Sequence, residues 1–203
     1  MSVISLPTTL RVAGQTWGQQ RNDIEQRSVF GAQAFEGSGP LWTASLVAPS
    51  LKQSDAGEWQ ALLMQLRGRT HQLALHCLQR PAPLGTMRGT MTLNGAHAQG
   101  ATALSVVASG ENAKTLLQGD FLGVGSGATQ QVVMVMSDAT SNGSGIIALT
   151  VEPPLRNAFV DTSAVTWNKP KALFRRANNT AQWHYQRLRM SGFSLDLIED
   201  WRA

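Results

Sequence analysis

A single cysteine, Cys77, stands among 203 residues, so no internal disulfide can form and no disulfide scaffold carries the fold. Charge is scarce as well: 15% of residues are charged and the net formal charge is +4. The arginines come in short pairs, Arg67/Arg69, Arg175/Arg176 and Arg187/Arg189. They lack the dense basic stripe with interleaved aromatics that marks a nucleic-acid surface, so no sequence-specific nucleic acid is expected as a partner. No apolar run approaches the ~18 residues of a membrane-spanning helix, so no membrane partner is expected either. The opening MSVISLPTTLRVAG has no basic segment followed by a long apolar one, which excludes a signal peptide and reads as a protein folded in a cytoplasm.

Chemistry-bearing motifs are missing too. The four histidines, His71, His76, His97 and His184, come without C-x-x-C, H-x-H or H-E-x-x-H. His76 and Cys77 are adjacent, and neighbouring residues on a strand point to opposite faces. No metal site and no cofactor is therefore expected. The carboxylates Asp120, Glu111, Asp138, Asp196, Glu199 and Asp200 show no spacing that resembles a glycosidase or protease pair, and no G-x-S-x-G elbow occurs. Asp138 reads as a turn former bonding nearby backbone amides. The chain does not read as an enzyme, and no catalytic residue is assigned.

What is present is mostly β pattern. In PLWTASLVAP, Trp42, Ala44 and Leu46 alternate with Thr43 and Ser45, and THQLALHCLQ places Leu73, Leu75 and Cys77 opposite Gln72 and His76. QQVVMVMS and GIIALTVE are short apolar runs rich in β-branched residues. One segment differs. SDAGEWQALLMQLRGR carries Trp59, Leu62, Leu63 and Leu66 at i, i+3, i+4 and i+7, an amphipathic stripe. It predicts a helix over about 55–67, with Asp55 and Glu58 as a capping box and Gly68 as its left-handed stop.

The run GVGSGA, Gly123 to Ala128, has the look of a phosphate-cradling loop. Its glycines are spaced G-x-G-x-G, however, and a strand follows where a dinucleotide site needs a helix. The spacing predicts a hairpin from DFLGV to QQVVMVM, and Asn142-Gly143 marks the next turn.

Pro81 and Pro83 mark a connector at residues 79–89, and EPPLRNA closes a middle block poor in charge. All six tryptophans (17, 42, 59, 167, 183 and 201) lie outside that block. The sequence thus predicts a mainly β protein: a discontinuous barrel or sandwich body, residues 1–80 and 160–203, with one helix, and an inserted small β-barrel at 86–156. KALFRRA, QWHYQRL and GFSLDLIE in the tail supply the missing strands. Trp17, Trp42, Trp59, Trp167 and Trp183 are expected in the core between helix and sheet. Trp201, with little chain after it to cover it, is the candidate interface residue.

The runs GTMRGTMTLNGAHAQGATALSV, LLQGDFLGVGSG, IIALTVEPPLRNA, KALFRRANNTAQW and GFSLDLIED resemble small tail-tip and baseplate proteins of tailed bacteriophages, of the distal tail or tail-hub kind. The resemblance covers roughly residues 54–203. Its most specific pieces are LQGDF, Leu117–Phe121, and EPPLR, Glu152–Arg156. It implies a β body that assembles as a homo-oligomeric ring, a hexamer, joining tail tube, hub and other tail-tip parts of a virion, with the inserted domain facing outward or meeting neighbouring baseplate parts. It brings no active site. The alternative is a tail-associated carbohydrate- or peptidoglycan-binding module, or a hydrolase using a carboxylate such as Asp120.

Overall fold

The computed structural model of the chain describes residues 2–37, 39–187 and 189–201. It is mainly β, with one α-helix and one closed barrel among the described residues. In chain order the first strands are β1 (Val3–Ser5), β2 (Gly14–Gln20), β3 (Asp23–Ser28), β4 (Gly31–Glu36), β5 (Leu41–Val47) and β6 (Leu51–Lys52), then α1 (Gln53–Gln65) and β7 (Gln72–Leu75). The middle supplies β8 (Met91–Leu93), β9 (Ala103–Ala108), β10 (Thr115–Leu116), β11 (Phe121–Val124), β12 (Gln131–Val135), β13 (Ala139–Thr140), β14 (Ile146–Glu152) and β15 (Ala164–Thr166). The last are β16 (Ala172–Arg176), β17 (His184–Gln186), β18 (Arg189–Ser191) and β19 (Ser194–Glu199).

The chain divides into two compact units, one running to Leu75 and resuming at Leu173, the other His76–Ala172. The second is wider than the 86–156 read from composition. The reason is β15: it pairs with β11 (Gly123↔Thr166, Val124↔Val165) and with β8 (Val165↔Met91), closing the barrel β11-β12-β14-β9-β8-β15. Three residues inside the polar run DTSAVTWN are too short a strand signal to notice, yet without them the barrel stays open. Its interior is Leu93, Leu104, Val106, Leu122, Val124, Val133, Val135, Ile147 and Leu149, all at most 3% exposed. Alternation along β9 and β14 puts these inward and Ser105, Val107, Ala148 and Thr150 outward.

The first unit is built on a six-stranded sheet of order β1-β7-β16-β19-β5-β2. β1 pairs with β7 in parallel, while β16–β19, β19–β5 and β5–β2 are antiparallel. The two central strands therefore come from the C-terminal stretch, and the N-terminal strands flank them. One face is apolar, with Phe174, Leu195, Leu197, Trp42, Ala44 and Leu46 all buried. Buried polar groups pin the two stretches together. The Trp42 N–H donates to Glu199 Oε2 at 2.9 Å, and Gln72 Nε2 donates to Asp200 Oδ2 at 2.8 Å. Gln72 thus joins the buried residues of β7 rather than forming a polar face, because Asp200 is there to receive its amide.

The helix follows its stripe: Ala56, Trp59, Leu62, Leu63 and Leu66 are buried. Trp59 also donates Nε1–H to the Arg11 carbonyl at 2.9 Å and stacks on Phe193 at 6.1 Å. Its start departs from the sequence reading. The helix begins at Gln53, directly off β6, with Lys52 as N-cap and no side-chain cap bond. Asp55 lies inside the first turn and turns outward to Arg11 at 2.9 Å, so no capping box forms. The stop is where glycine was expected, with Gly68 at φ +63° and Arg67 also left-handed.

Two tryptophans leave the expected core. Trp167 belongs to the barrel unit, half-buried against its core, and Trp183 is 38% exposed, stacked on Phe193. Trp201 is half-buried.

The strand order makes a prediction. Residues 76–172 expressed alone fold cooperatively, giving a sharp thermal transition and dispersed amide spectra. Residues 1–75 alone do not, since both strands that hold their sheet together are missing.

Candidate functional site

Asp120 is the carboxylate with the strongest claim to chemistry by position, and the structure shows it at work on the fold. Its side chain is fully buried. The Leu84 N–H donates to Oδ1 at 2.8 Å, and the Gly85 and Leu117 N–H groups donate to Oδ2 at 3.1 and 2.8 Å. Arg80 Nη1 stands 3.6 Å from Oδ1. A carboxylate accepting three backbone amides and facing a guanidinium is a clamp between the 80–85 connector and the turn into β11. A general acid or base must reach its substrate, and this one has no solvent-facing atom. Asp138, read as a local turn former, instead accepts the Gln118 N–H from across the same turn at 2.7 Å.

The other distinctive segments are structural as well. In EPPLR, Gln131 holds the loop from both sides: Nε2 donates to the Pro154 carbonyl and Oε1 accepts the Arg156 N–H, at 2.8 and 2.7 Å. Arg88 lies 5.0 Å above the Trp167 ring and donates to the carbonyls of Pro83, Gly85 and Met87. The Trp167 Nε1–H donates to the Gly89 carbonyl at 2.8 Å. The glycine loop joins β11 to β12 as a hairpin. Gly125 takes φ +85°, and a Cβ there would come within 2.5 Å of the Phe159 ring, so two constraints demand glycine at this position.

The histidines lie apart. His71 meets Ser2, with Nδ1 at 3.1 Å from the Ser2 N–H, and His184 sits on β17. His97 bridges Gly95 O through Nδ1 and accepts the Ser105 N–H at Nε2, both at 3.0 Å. Burial, together with Lys169 and Lys171, lowers the His76 imidazole below its ordinary 6.5. Among the described residues no three His, Cys, Asp or Glu side chains gather as a metal site would require, and no helix is long and apolar enough to cross a membrane.

The feature that sequence reading passed over is the β3–β4 hairpin. Every residue of both strands is exposed, and the pairing runs from Asp23↔Glu36 to Ser28↔Gly31. Its two-residue turn is Val29-Phe30, exposed at 96% and 99%. Ile24 and Phe35, paired across the strands, are exposed as well, at 63% and 49%. Turns of this length favour Asn, Asp and Gly, so a β-branched and an aromatic residue are not there for the turn. The hairpin follows β2, an edge strand of the six-stranded sheet. A lone two-stranded hairpin is at best marginally stable in water, and large apolar side chains held out together mark an interaction surface. The available sequence signal was the apolar Val29-Phe30 between two mostly polar runs.

No protein-family model matches the chain, and no curated protein shows significant sequence similarity to it.

Two expectations follow for the barrel unit. Asp120→Asn replaces one acceptor of the clamp by a donor facing N–H groups and weakens its pairing with Arg80, costing roughly 2–4 kcal/mol. It lowers the calorimetric melting temperature of the full chain. For His76, the unfolded chain holds the proton more tightly than the folded one. Stability is therefore lost as pH falls below about 6.5 and is unaffected above it. The melting temperature of His76→Gln relative to wild type rises as pH drops through that value.

Proposed function

We propose that the chain is a structural component of a bacteriophage tail tip or baseplate, a distal-tail-like subunit that assembles with copies of itself into a ring joining the tail tube to hub or receptor-binding parts. The observation that carries this reading is the exposed hairpin with its apolar Val29-Phe30 tip, which follows β2 at the end of the six-stranded sheet. Exposed strand edges and apolar tips are liabilities in a free subunit, and pairing with a neighbour removes them. A head-to-tail contact between identical chains closes into a ring when the rotation per subunit permits.

The segments that resemble phage tail proteins support the reading in a second way. LQGDF, EPPLR and KALFRRA are accounted for by a buried clamp, a braced loop and a central strand. A chain whose distinctive residues are spent on rigidity suits a building block. Asp120, the carboxylate named for the hydrolase alternative, gives that reading no support, since it is fully buried and accepts backbone amides.

Association is the test. Sedimentation velocity at micromolar concentration is expected to show wild-type oligomers. Val29→Ser with Phe30→Ser weakens them about 10- to 100-fold, from the loss of one buried large side chain or more. The monomer's melting temperature stays unchanged, since both positions are solvent-exposed. A wild-type protein that remains monomeric, alone and with a co-expressed tail-tube protein, removes the proposal.

A further inference from the structure

The same unit holds two charge pairs of opposite sign, each set against itself. On the hairpin, Asp23 and Glu36 are direct cross-strand partners at the open end of β3–β4, both exposed. On the small sheet β17-β18-β6, Arg189 and Lys52 are direct cross-strand partners, again both exposed. Like charges placed directly opposite across strands disfavour the pairing they sit on. Glu36 has Arg21 at 2.5 Å. The cationic pair is not relieved in this way: Arg189 reaches only the Ser50 carbonyl, at 3.4 Å, and among the described residues neither Lys52 nor Arg189 meets a carboxylate. Arg187, in the turn between β17 and β18, adds a third cation.

Lys52 is misplaced for a second reason. It is the N-cap of α1, where the helix dipole disfavours a cation, and it contributes no side-chain cap bond. Asp55 in the first turn is drawn off to Arg11. An anion brought to this point gains from Lys52, from Arg189 and from the first-turn amides together. An isolated subunit has no reason to keep the cationic pair. A subunit facing its own copy does.

We propose that the Asp23/Glu36 pair at the base of one subunit's hairpin seats on the Lys52/Arg189 pair of the next copy. This names the contact within the self-association proposed above and rests on that reading. The two patches are different surfaces, so the contact is heterologous, the type that propagates around a ring. Opposed charges of this kind fix partner and register, while the apolar tip supplies contact area. Each like-charge pair also discourages its own patch from meeting its twin, which disfavours a two-fold dimer.

Full-length protein tests it by sedimentation velocity. Wild type is expected to assemble at low salt and to weaken in about 1 M salt, where screening falls to ~3 Å. Asp23→Lys with Glu36→Lys, and separately Lys52→Glu with Arg189→Glu, each weaken assembly at least tenfold. Their circular dichroism matches wild type, and the neutral pair Lys52→Gln with Arg189→Gln serves as the milder variant. Mixing the two reversed proteins restores assembly, because each then presents the sign its partner lacks. Reversed proteins that assemble as wild type does overturn this contact and leave self-association standing. A monomeric wild type overturns both. Salt-sensitive binding of single-stranded DNA by wild type, lost in Lys52→Glu with Arg189→Glu, without assembly, assigns the cationic pair to nucleic acid and overturns the proposal.

Discussion

The first unit depends on the insertion of β16 and β19 between β7 and β5. Remove that pairing and the six-stranded sheet falls into two unconnected edges, β1-β7 and β5-β2, neither with a partner for its inner row of backbone groups. The sheet's apolar face loses Phe174, Leu195 and Leu197 with it, since they ride on the inserted strands. Polar groups guard the same seam. Glu199 and Asp200, at the end of β19, are buried where β5 and β7 offer them N–H donors. Buried carboxylates without such donors would cost several kcal/mol each.

The barrel unit solves a different problem. Its strands are short and its connections long, so loops must be held in place from outside themselves. Two side chains do this by accepting from or donating to backbone far away in sequence, Asp120 on the 84–85 amides and Gln131 across Pro154 to Arg156, while Arg88 ties its own loop through the Pro83, Gly85 and Met87 carbonyls. Ser141 belongs with them, accepting the Lys114 N–H at 2.9 Å and donating to the Glu111 carbonyl at 2.6 Å. Each exchanges water for backbone partners, with Asp120, Gln131 and Ser141 buried, which favours one loop conformation over the many that glycine-rich sequence allows.

Periodic apolar signals were legible, and isolated polar ones were not. The stripe from Trp59 to Leu66 and the alternation Trp42-Ala44-Leu46 are visible because burial repeats with the geometry of the element. The helix start escaped because α1 grows directly out of β6, and Asp55, which has the chemistry of a cap, is claimed by Arg11. β15 escaped because Ala164-Val165-Thr166 carries a single fully inward side chain. Asp120 could be noticed but not understood, since two of the three amides it binds lie 35 and 36 residues away. The hairpin escaped for the opposite reason: with no buried face, β3 and β4 leave no apolar alternation to read.

The position of β16 and β19 also sets an order of events during synthesis. The barrel is one continuous stretch and is complete as soon as Ala172 has emerged. By then β5 and β7 have been outside the ribosome for about a hundred residues, with apolar faces formed and hydrogen-bonding edges vacant. Stranded edges of this kind are where nascent proteins find wrong partners. A quickly folding insert shortens the effective loop that β16 must close to reach β7, because its two ends are delivered already fixed to one compact body. The inserted unit thus acts as a splint for the sheet whose two stretches flank it in sequence.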